Sequence, residues 1–271
     1  MNCNETTKEY YRVDKLPHIW CPGCGHGTLT NTVVRAIDTL RLNKDEVVIV
    51  SGIGCSSRAP GYLDFNTLHT THGRALAFAT GIKLANPKLH VIVIMGDGDS
   101  SAIGGNHLIH AARRNIDITT IVFNNNIYGM TGGQYSPTTP YGDFATTSAY
   151  GNIDKPFDLC SLAQGAGATY VGRGTAYHAP LMQKLIEKGL QNRGFSFIEG
   201  LSLCPTYYGR KNKKGSAFQM FSFLKDNCVD IKAIEKNPEK GENKILIGEF
   251  YNNPKPEYIE SYQVIIDKLQ G

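Results

Sequence analysis

Apolar residues along the chain follow two alternating patterns. Short runs rich in β-branched and aromatic residues predict strands, and longer stretches with an apolar residue every three or four positions predict helices. The predicted strands are 47–50, 90–95, 118–125, 169–174 and 195–202, and the predicted helices are 26–43, 72–87, 104–115, 158–168 and 181–190. This order is typical of an α/β fold with a doubly wound, mostly parallel sheet, in which ligands bind at the carboxyl ends of the strands.

The pattern changes after Cys204. A basic segment, RKNKKG at 210–215, precedes a stretch of helical spacing at 216–227 and then a polar tail. We therefore predict one domain over residues 1–204 and a C-terminal extension over residues 205–271. The extension is expected to cap the domain or to lie at a subunit interface, without a core of its own.

Composition narrows the class of protein. The 271 residues are 41% hydrophobic and 19% charged with a net charge of +4, which fits an ordinary globular protein and gives no reason to expect nucleic acid as a partner. The first residues are polar and no apolar run is long enough to span a bilayer, so we expect a cytoplasmic protein without membrane contact. Seven cysteines, an odd number, then favour metal or redox chemistry over a disulfide framework.

Two predicted strands end in informative motifs. GDGDSS follows the strand at 90–95, and NNNIYG follows the strand at 118–123. Because neighbouring parallel strands end at one edge of a sheet, Asp97 and Asn125 are expected to lie side by side as oxygen ligands for Mg²⁺. Gly96 and Gly98 allow close approach of a ligand, and a helix starting near Gly104 would direct N–H groups at an anion. Together the motifs predict a magnesium-bridged diphosphate site, although each motif alone is also compatible with a plain turn.

The stretch WCPGCGHGT contains Cys21 and Cys24 in a CxxC pair. Such a pair is compatible with a metal site, a redox disulfide or the start of a phosphate-binding helix, and its spacing alone does not distinguish among them.

Six blocks of sequence carry a resemblance to a known family. The blocks are WCPGCGHG, SGIGCSSR, HTTHGRALAFATGIKLANP, GDGDSSAIGGNHLIHAARRN, NNNIYGMTGGQYSPTTP and LCPTYYGRKNKKG. Their order and content resemble the β subunits of 2-oxoacid:ferredoxin oxidoreductases, most closely the 2-oxoglutarate members, from about Leu16 to the C-terminus. The resemblance implies a thiamine diphosphate-binding fold over residues 1–204. It also implies oxidative decarboxylation of 2-oxoglutarate with coenzyme A to succinyl-CoA and CO₂, with electrons passing to ferredoxin in a reversible reaction.

The resemblance assigns residues to three cofactors. Asp97, Asn125 and the carbonyl of Ile127 would bind Mg²⁺, and Cys21, Cys24, Cys55 and Cys204 would bind one 4Fe–4S cluster. The thiamine diphosphate pocket would be formed by Cys24, Gly25, His26, Gly54, Cys55, Ser56, His72, Gly96, Asp97, Gly98, Asp99, Asn125, Ile127, Gly129, Met130 and Thr131. His72 and Arg74, in the HTTHGR segment, are the expected catalytic residues.

Four thiolates could also form a tetrahedral zinc site. Oxidative decarboxylation releases two electrons, which a cluster accepts one at a time, whereas zinc has no redox chemistry. We therefore favour the iron–sulfur cluster and assign no function to Cys3, Cys160 and Cys228. His107 and His110 stand three positions apart on a predicted helix and are interpreted as structural, since no third ligand is in view.

The resemblance also implies partners. An α subunit is expected as an obligate partner, because nothing in this chain replaces the α-subunit carboxylate that binds the aminopyrimidine ring; γ and ferredoxin-like δ subunits are further candidates. The basic residues Arg210–Lys214 are interpreted as a solvated loop, or else as a site for acidic ferredoxin or for the phosphates of coenzyme A. Three alternatives remain at this point: a different 2-oxoacid such as pyruvate, a non-oxidative thiamine decarboxylase, and a zinc-stabilised binding module.

Overall fold

The computed structural model describes residues 3–270, with side chains from Glu5 onward. The helices are α1 (Cys3–Tyr10), α2 (His26–Thr39), α3 (Ala59–Tyr62), α4 (Ala75–Ala85), α5 (Asp97–Ser101), α6 (Gly105–Arg114), α7 (Leu159–Ala166), α8 (Ala179–Gln191), α9 (Ala217–Asn227), α10 (Ile231–Lys236) and α11 (Tyr258–Gln270). The strands are β1 (Val47–Ser51), β2 (Asn66–His69), β3 (His90–Gly96), β4 (Thr119–Asn124), β5 (Ile127–Tyr128), β6 (Gln134–Tyr135), β7 (Tyr170–Thr175), β8 (Ser196–Leu201), β9 (Cys228–Asp230) and β10 (Ile245–Asn252). The side chain of Cys3 lies outside the described residues.

The main sheet has the strand order β2-β1-β3-β4-β8-β7-β10-β9. The six strands from β2 to β7 run parallel, whereas β10 pairs antiparallel with β7. The helices α2 and α8 cover one face, and α4, α6 and α7 cover the other. The predicted α/β fold with a doubly wound, mostly parallel sheet is therefore confirmed.

The core is divided by the sheet into two apolar clusters. Successive strand residues point to opposite faces, so Ile92 and Ile94 of β3 pack on the side of α2 and α8, whereas Val93 and Met95 pack on the side of α4 and α6. All four side chains have no solvent exposure. Burial of such a side chain stabilises the fold by roughly 1.5–3 kcal/mol, and burial on both faces explains why these strands read as nearly continuous apolar runs.

Several elements differ from the sequence pattern. The sequence predicted no strand after residue 202, yet β10 adds eight residues of the C-terminal segment to the main sheet. Its residues are mostly half-buried, and Gly248 adopts a left-handed conformation with φ 120°, so the strand lacks the buried apolar run that identified the others. The predicted position of the extension at a subunit interface stays a prediction.

The region after β3 also differs in detail. A short helix, α5, begins at Asp97 directly after the strand, and α6 follows at Gly105, close to the predicted start. The long loop at 131–150 contains only the two-residue strand β6, which pairs with β5. Within residues 3–270, no helix combines the length and apolar character needed to cross a membrane.

Candidate active site

A cavity of about 160 Å³ lies at the carboxyl ends of β1, β3 and β4. Its lining consists of His26, Ile53, Gly54, Cys55, Ser56, His72, Gly96, Asp97, Gly98, Asp99, Phe123, Asn125, Ile127, Tyr128, Gly129, Met130 and Thr131. The structure thus brings together all the residues predicted for the cofactor pocket except Cys24 and Gly25, which lie beside it. Ile53, Phe123 and Tyr128 were not predicted.

Asp97 is the buried carboxylate of this cavity. The hydroxyls of Ser136 and Thr138 both donate to its Oδ2, at 2.6 and 2.7 Å. Burial raises the pKa of the Asp97 carboxyl, and these two hydroxyl donors oppose the rise. Both hydroxyls bond to Oδ2, and the backbone amides of Asp97 and Asn125 also oppose the rise in pKa.

The turn after β4 is shaped by consecutive asparagines. The amide of Asn126 donates to Oδ1 of Asn124 at 3.0 Å, and the amide of Ile127 donates to Oδ1 of Asn125 at 3.2 Å. Asn126 itself adopts a left-handed conformation with φ 62°, which asparagine tolerates better than most residues. These bonds fix the side chain of Asn125 and the backbone at Ile127 next to Asp97.

Gly98 is required by a close approach to Tyr128. The hydroxyl of Tyr128 donates to the Gly98 carbonyl at 3.1 Å. A Cβ atom at Gly98 would lie 2.2 Å from the Tyr128 ring, which is far inside contact distance. The second glycine of the GDG motif therefore allows the loop after β4 to close over the loop after β3.

Asp99 joins three loops at this edge of the sheet. Its Oδ1 lies 2.5 Å from Nδ1 of His72 and accepts hydrogen bonds from the amides of Gly73 (2.6 Å) and Ile53 (3.4 Å). A Cβ atom at Gly52 would lie 2.0 Å from its Oδ2. Burial raises the pKa of the Asp99 carboxyl, and the Gly73 amide and His72 oppose the rise. The loops after β1 and β2 are therefore both attached to the helix that begins at Asp97.

His72 and Arg74 are separated by the structure. His72 lines the cavity, with its ring edge-on to Tyr128. Arg74 instead donates to the carbonyl of Ile103 (3.3 Å) and to Nε2 of His107 (2.8 Å), and it does not line the cavity. The predicted catalytic role of Arg74 therefore has no support from its position, and the contact with Arg74 gives His107 a structural role.

The four predicted cluster cysteines converge beside the cavity. Burial, reinforced by the neighbouring thiols of Cys204, Cys24 and Cys21, raises the pKa of the Cys55 thiol to about 11. Burial likewise raises the pKa of the Cys24 thiol to about 11, with the Cys21 and Cys204 thiols adding to the effect. A Cβ atom at Gly129 would lie 3.4 Å from the sulfur of Cys204 and 3.7 Å from that of Cys55. Four thiols from three distant segments thus surround one region next to Gly129.

The thiols are all free. None of the six cysteines with described side chains forms a disulfide. Within the described part of the chain, no group of three or more His, Cys, Asp or Glu side chains forms a ready-made site for a single metal ion. Cys160 lies elsewhere, buried near Glu199, as expected for a structural residue.

His26 stands between the cysteines and the cavity. Its amide donates to the sulfur of Cys24 at 3.5 Å, and its ring packs edge-on against Phe123. Full burial lowers the pKa of His26 to about 4, so the ring is neutral at physiological pH. Next to it, the indole of Trp20 donates to the carbonyl of Cys55 at 2.7 Å and joins the first cysteine segment to the second.

A buried chain of hydrogen-bonded side chains connects Arg173 to Asp97. Arg173 donates to Oε2 of Glu199 at 2.6 Å, and Oε1 of Glu199 accepts from Asn124 at 2.7 Å. Oδ1 of Asn124 accepts in turn from Thr138 at 3.1 Å, the same hydroxyl that donates to Asp97. Sequence reasoning missed this chain, although a glutamate inside the apolar run FSFIEGL was a signal of a buried ion pair.

Comparisons with known proteins agree with this geometry. Residues 52–200 match the family model of the thiamine pyrophosphate enzyme C-terminal TPP binding domain. The whole chain is 54% identical, over 264 residues, to the 2-oxoglutarate synthase subunit KorB of Methanothermobacter marburgensis, covering 97% of this chain and 93% of that protein. The chain belongs to the β-subunit family of 2-oxoacid:ferredoxin oxidoreductases.

Two further relatives span the same family. The 2-oxoacid:ferredoxin oxidoreductase subunit beta of Saccharolobus solfataricus is 39% identical over 260 residues, with 90% of this chain and 84% of that protein covered. A solved structure of 2-oxoglutarate:ferredoxin oxidoreductase from Magnetococcus marinus, with 2-oxoglutarate, coenzyme A and succinyl-CoA bound, matches with a TM-score of 0.87 and 34% identity. That match covers 98% of this chain and 91% of the other. Family membership therefore confirms the predicted resemblance and makes the chain a subunit of an oxidoreductase with a thiamine diphosphate-binding domain.

Proposed function

We propose that this chain is the β subunit of a 2-oxoglutarate:ferredoxin oxidoreductase. The reaction converts 2-oxoglutarate, coenzyme A and two oxidised ferredoxins into succinyl-CoA, CO₂, a proton and two reduced ferredoxins, and it is reversible. The observation that carries the proposal is the 54% identity to a 2-oxoglutarate synthase subunit over nearly the whole length of both proteins. The cavity around Asp97 and Asn125 supplies the site at which the chemistry takes place.

The residues around Asp97 fit a magnesium-bound diphosphate. Asp97, Asn125 and the carbonyl of Ile127 are hard oxygen donors of the kind that Mg²⁺ prefers, and the first two are at most 7% exposed. A buried carboxylate with a raised pKa is stabilised by a bound cation, which compensates the cost of burial. Thiamine diphosphate, when bound, supplies the carbon nucleophile that attacks the 2-oxo group. This chain holds the diphosphate end and excludes water from it.

His72 is placed to hold a proton in the cavity. Nδ1 of His72 lies 2.5 Å from Oδ1 of Asp99, so Nε2 is the ring nitrogen that Asp99 does not engage. Asp99 is 2% exposed and is fixed by two backbone amides, so it also fixes the orientation of the ring. We propose that His72 contacts the reacting groups and that Arg74 acts through the contact with His107 rather than on the substrate.

The four converging thiols fit a 4Fe–4S cluster bound by Cys21, Cys24, Cys55 and Cys204. A cubane cluster takes four cysteine thiolates, often a CxxC pair with more distant cysteines. The pKa values of about 11 for Cys24 and Cys55 mean that these thiols stay protonated until a cation replaces the proton. The cluster, when bound, accepts electrons one at a time, and zinc in its place would leave the chain without that capacity.

We propose an α subunit as the obligate partner. Asp97 bonds to Ser136 and Thr138, and Asp99 lies against His72, so we propose that the carboxylate for the aminopyrimidine end of the cofactor comes from the α subunit. The C-terminal segment supports an interface, because Phe218 of α9 and Leu269 of α11 are 79% and 83% exposed. Ferredoxin, and further γ and δ subunits, complete the proposed assembly.

Anaerobic co-purification of this chain with its α partner tests the proposal. We expect about four irons and four sulfides per β chain, and bleaching of the visible absorption when 2-oxoglutarate and coenzyme A are added. Zinc without iron would contradict the electron-transfer role, and activity from the isolated β chain would contradict the shared active site.

Substrate preference needs a separate measurement. Turnover is compared with 2-oxoglutarate, pyruvate and branched 2-oxoacids at equal concentrations in the complete complex. A higher kcat/KM for pyruvate would retain the chemistry and replace the substrate.

A further inference from the structure

Two of the four converging thiols, those of Cys21 and Cys24, accept a hydrogen bond. The hydroxyl of Thr206 donates to the sulfur of Cys21 at 3.3 Å, and the amide of His26 donates to the sulfur of Cys24 at 3.5 Å. The bond to Cys24 comes from the main chain and remains whatever the side chain at position 26, whereas the bond to Cys21 depends on a single hydroxyl.

The chain places the Thr206 hydroxyl through a defined turn. Thr206 stands 185 positions from Cys21 in sequence, in a π-helical turn over Pro205–Gly209 that begins directly after Cys204. The amide of Gly209 donates to the carbonyl of Cys204 at 2.9 Å and closes the turn. Tyr208, in the same turn, is buried and bonds to Asp143. The hydroxyl therefore reaches Cys21 from a fixed backbone rather than from a free loop.

A hydrogen bond to a ligand sulfur favours the more negative state of an iron–sulfur cluster. The donor stabilises negative charge on the thiolate, and this charge increases when the cluster gains an electron. Hydrogen bonds to the sulfurs are among the features that set cluster reduction potentials. We propose that the hydroxyl of Thr206 raises the reduction potential of the cluster bound by Cys21, Cys24, Cys55 and Cys204. This inference rests on the proposed function, because it requires the cluster.

The change in reduction potential caused by the Thr206 hydroxyl is expected to be moderate. Cys21 is exposed, so water can partly replace a lost donor. A tenfold change in the equilibrium constant of a one-electron reduction corresponds to 59 mV, and we expect the loss of one bond to change the constant by a few-fold to about tenfold.

The test is a redox titration of the α–β complex monitored by electron paramagnetic resonance. Dithionite supplies the electrons, and the measured couple is the one-electron reduction of the cluster. Thr206→Val keeps the shape of the side chain and removes the hydroxyl, whereas Thr206→Ser keeps the hydroxyl. We expect the valine variant to have a more negative midpoint potential and an unchanged iron content, and the serine variant to match the wild type.

Each other result has a distinct meaning. A valine variant with the wild-type potential would overturn the inference, and so would equal shifts in the valine and serine variants, because the hydroxyl would then not be the cause. If the valine variant loses its cluster, Thr206→Ala replaces it in the same comparison with serine. Wild-type protein without iron would overturn the proposed function itself, independently of Thr206.

Discussion

The two halves of the candidate site are built in different ways. The diphosphate half consists of Asp97 and Asn125, which follow adjacent strands of one sheet and are nearly inaccessible to solvent. Two hydroxyls hold the side chain of Asp97, and the amide of Ile127 holds that of Asn125. The cysteine half is assembled from three segments far apart in sequence, and its outermost thiol, Cys21, is exposed.

Because of this difference, the two halves are expected to respond differently to substitutions. Sheet topology alone brings Asp97 and Asn125 together, and a buried network of hydrogen bonds then fixes them. When one of these bonds is lost, the other bonds still hold the side chains in place. The cysteine half depends on the simultaneous position of several loops and has few polar supports. We therefore expect the cysteine half to fail completely when one ligand is lost, and the diphosphate half to weaken in steps.

The largest effect is expected from loss of a cluster ligand. Cys204→Ser removes one of four thiolates, and we expect anaerobically purified complex to lose most of its iron and its ferredoxin-dependent activity. Cys228→Ser is the matched control, because Cys228 is also free and is partly buried, but no other thiol affects its pKa. Iron analysis distinguishes the two variants. A Cys204→Ser complex with a full complement of iron would remove Cys204 from the ligand set.

Asp97→Asn is expected to have the next largest effect. The substitution keeps the shape of the side chain but removes the charge that faces the cation, so magnesium-dependent binding of thiamine diphosphate should weaken at least about 100-fold. Calorimetric titration of cofactor-free complex measures the affinity, with exposed Asp154→Asn as the control. Equal affinities in the two variants would contradict the role of Asp97.

Arg173→Met tests the buried polar chain that connects Arg173 to the diphosphate half. Arg173 and Glu199 are 12% and 2% exposed, and removal of one partner leaves a buried unpaired charge that costs about 3–5 kcal/mol. We expect a lower urea midpoint with the iron content unchanged. The double variant Arg173→Met with Glu199→Leu should recover part of the stability, since no charge is then left unpaired. Loss of iron in the single variant would show that the two halves are not independent.

The smallest effect is expected from Thr138→Val. The hydroxyl donates to both Asp97 and Asn124, but Ser136 still donates to Asp97, so cofactor affinity should fall by about 10- to 100-fold rather than vanish. The same calorimetric titration measures it. Thr120→Val is a suitable control, because its hydroxyl is buried in β4 without a hydrogen-bond partner. A loss as large as that of Asp97→Asn would mean that Ser136 alone cannot hold the carboxylate.

The elements that were predicted correctly have a clear pattern within a short stretch of the sequence. The strands β3 and β4 are buried on both faces and read as apolar runs, and the rule that parallel strands end together placed Asp97 beside Asn125. The strand β10 was not predicted because its residues are half-exposed. Its pairing with β7 depends on the tertiary structure and not on its own sequence pattern.

The partners of a side chain could be predicted only where the path of the backbone alone determines which residues meet. Ser136 and Thr138 lie on a long loop whose path depends on packing, so nothing in their spacing indicated that both would reach Asp97. Arg74 was predicted to act in catalysis because it opens a helix near the pocket; its side chain bonds to Ile103 and His107, and its catalytic role stays a prediction. Thiol convergence followed from the family resemblance rather than from the spacing of the cysteines.

The convergence of the cysteines also has a consequence for biosynthesis. Cys204 follows β8, and β8 takes its place between β4 and β7 at the centre of the sheet. The segment that carries the fourth thiol is therefore the last of the three cysteine segments to be synthesised. A chain stalled before β8 would present only three of the four thiols proposed to bind the cluster.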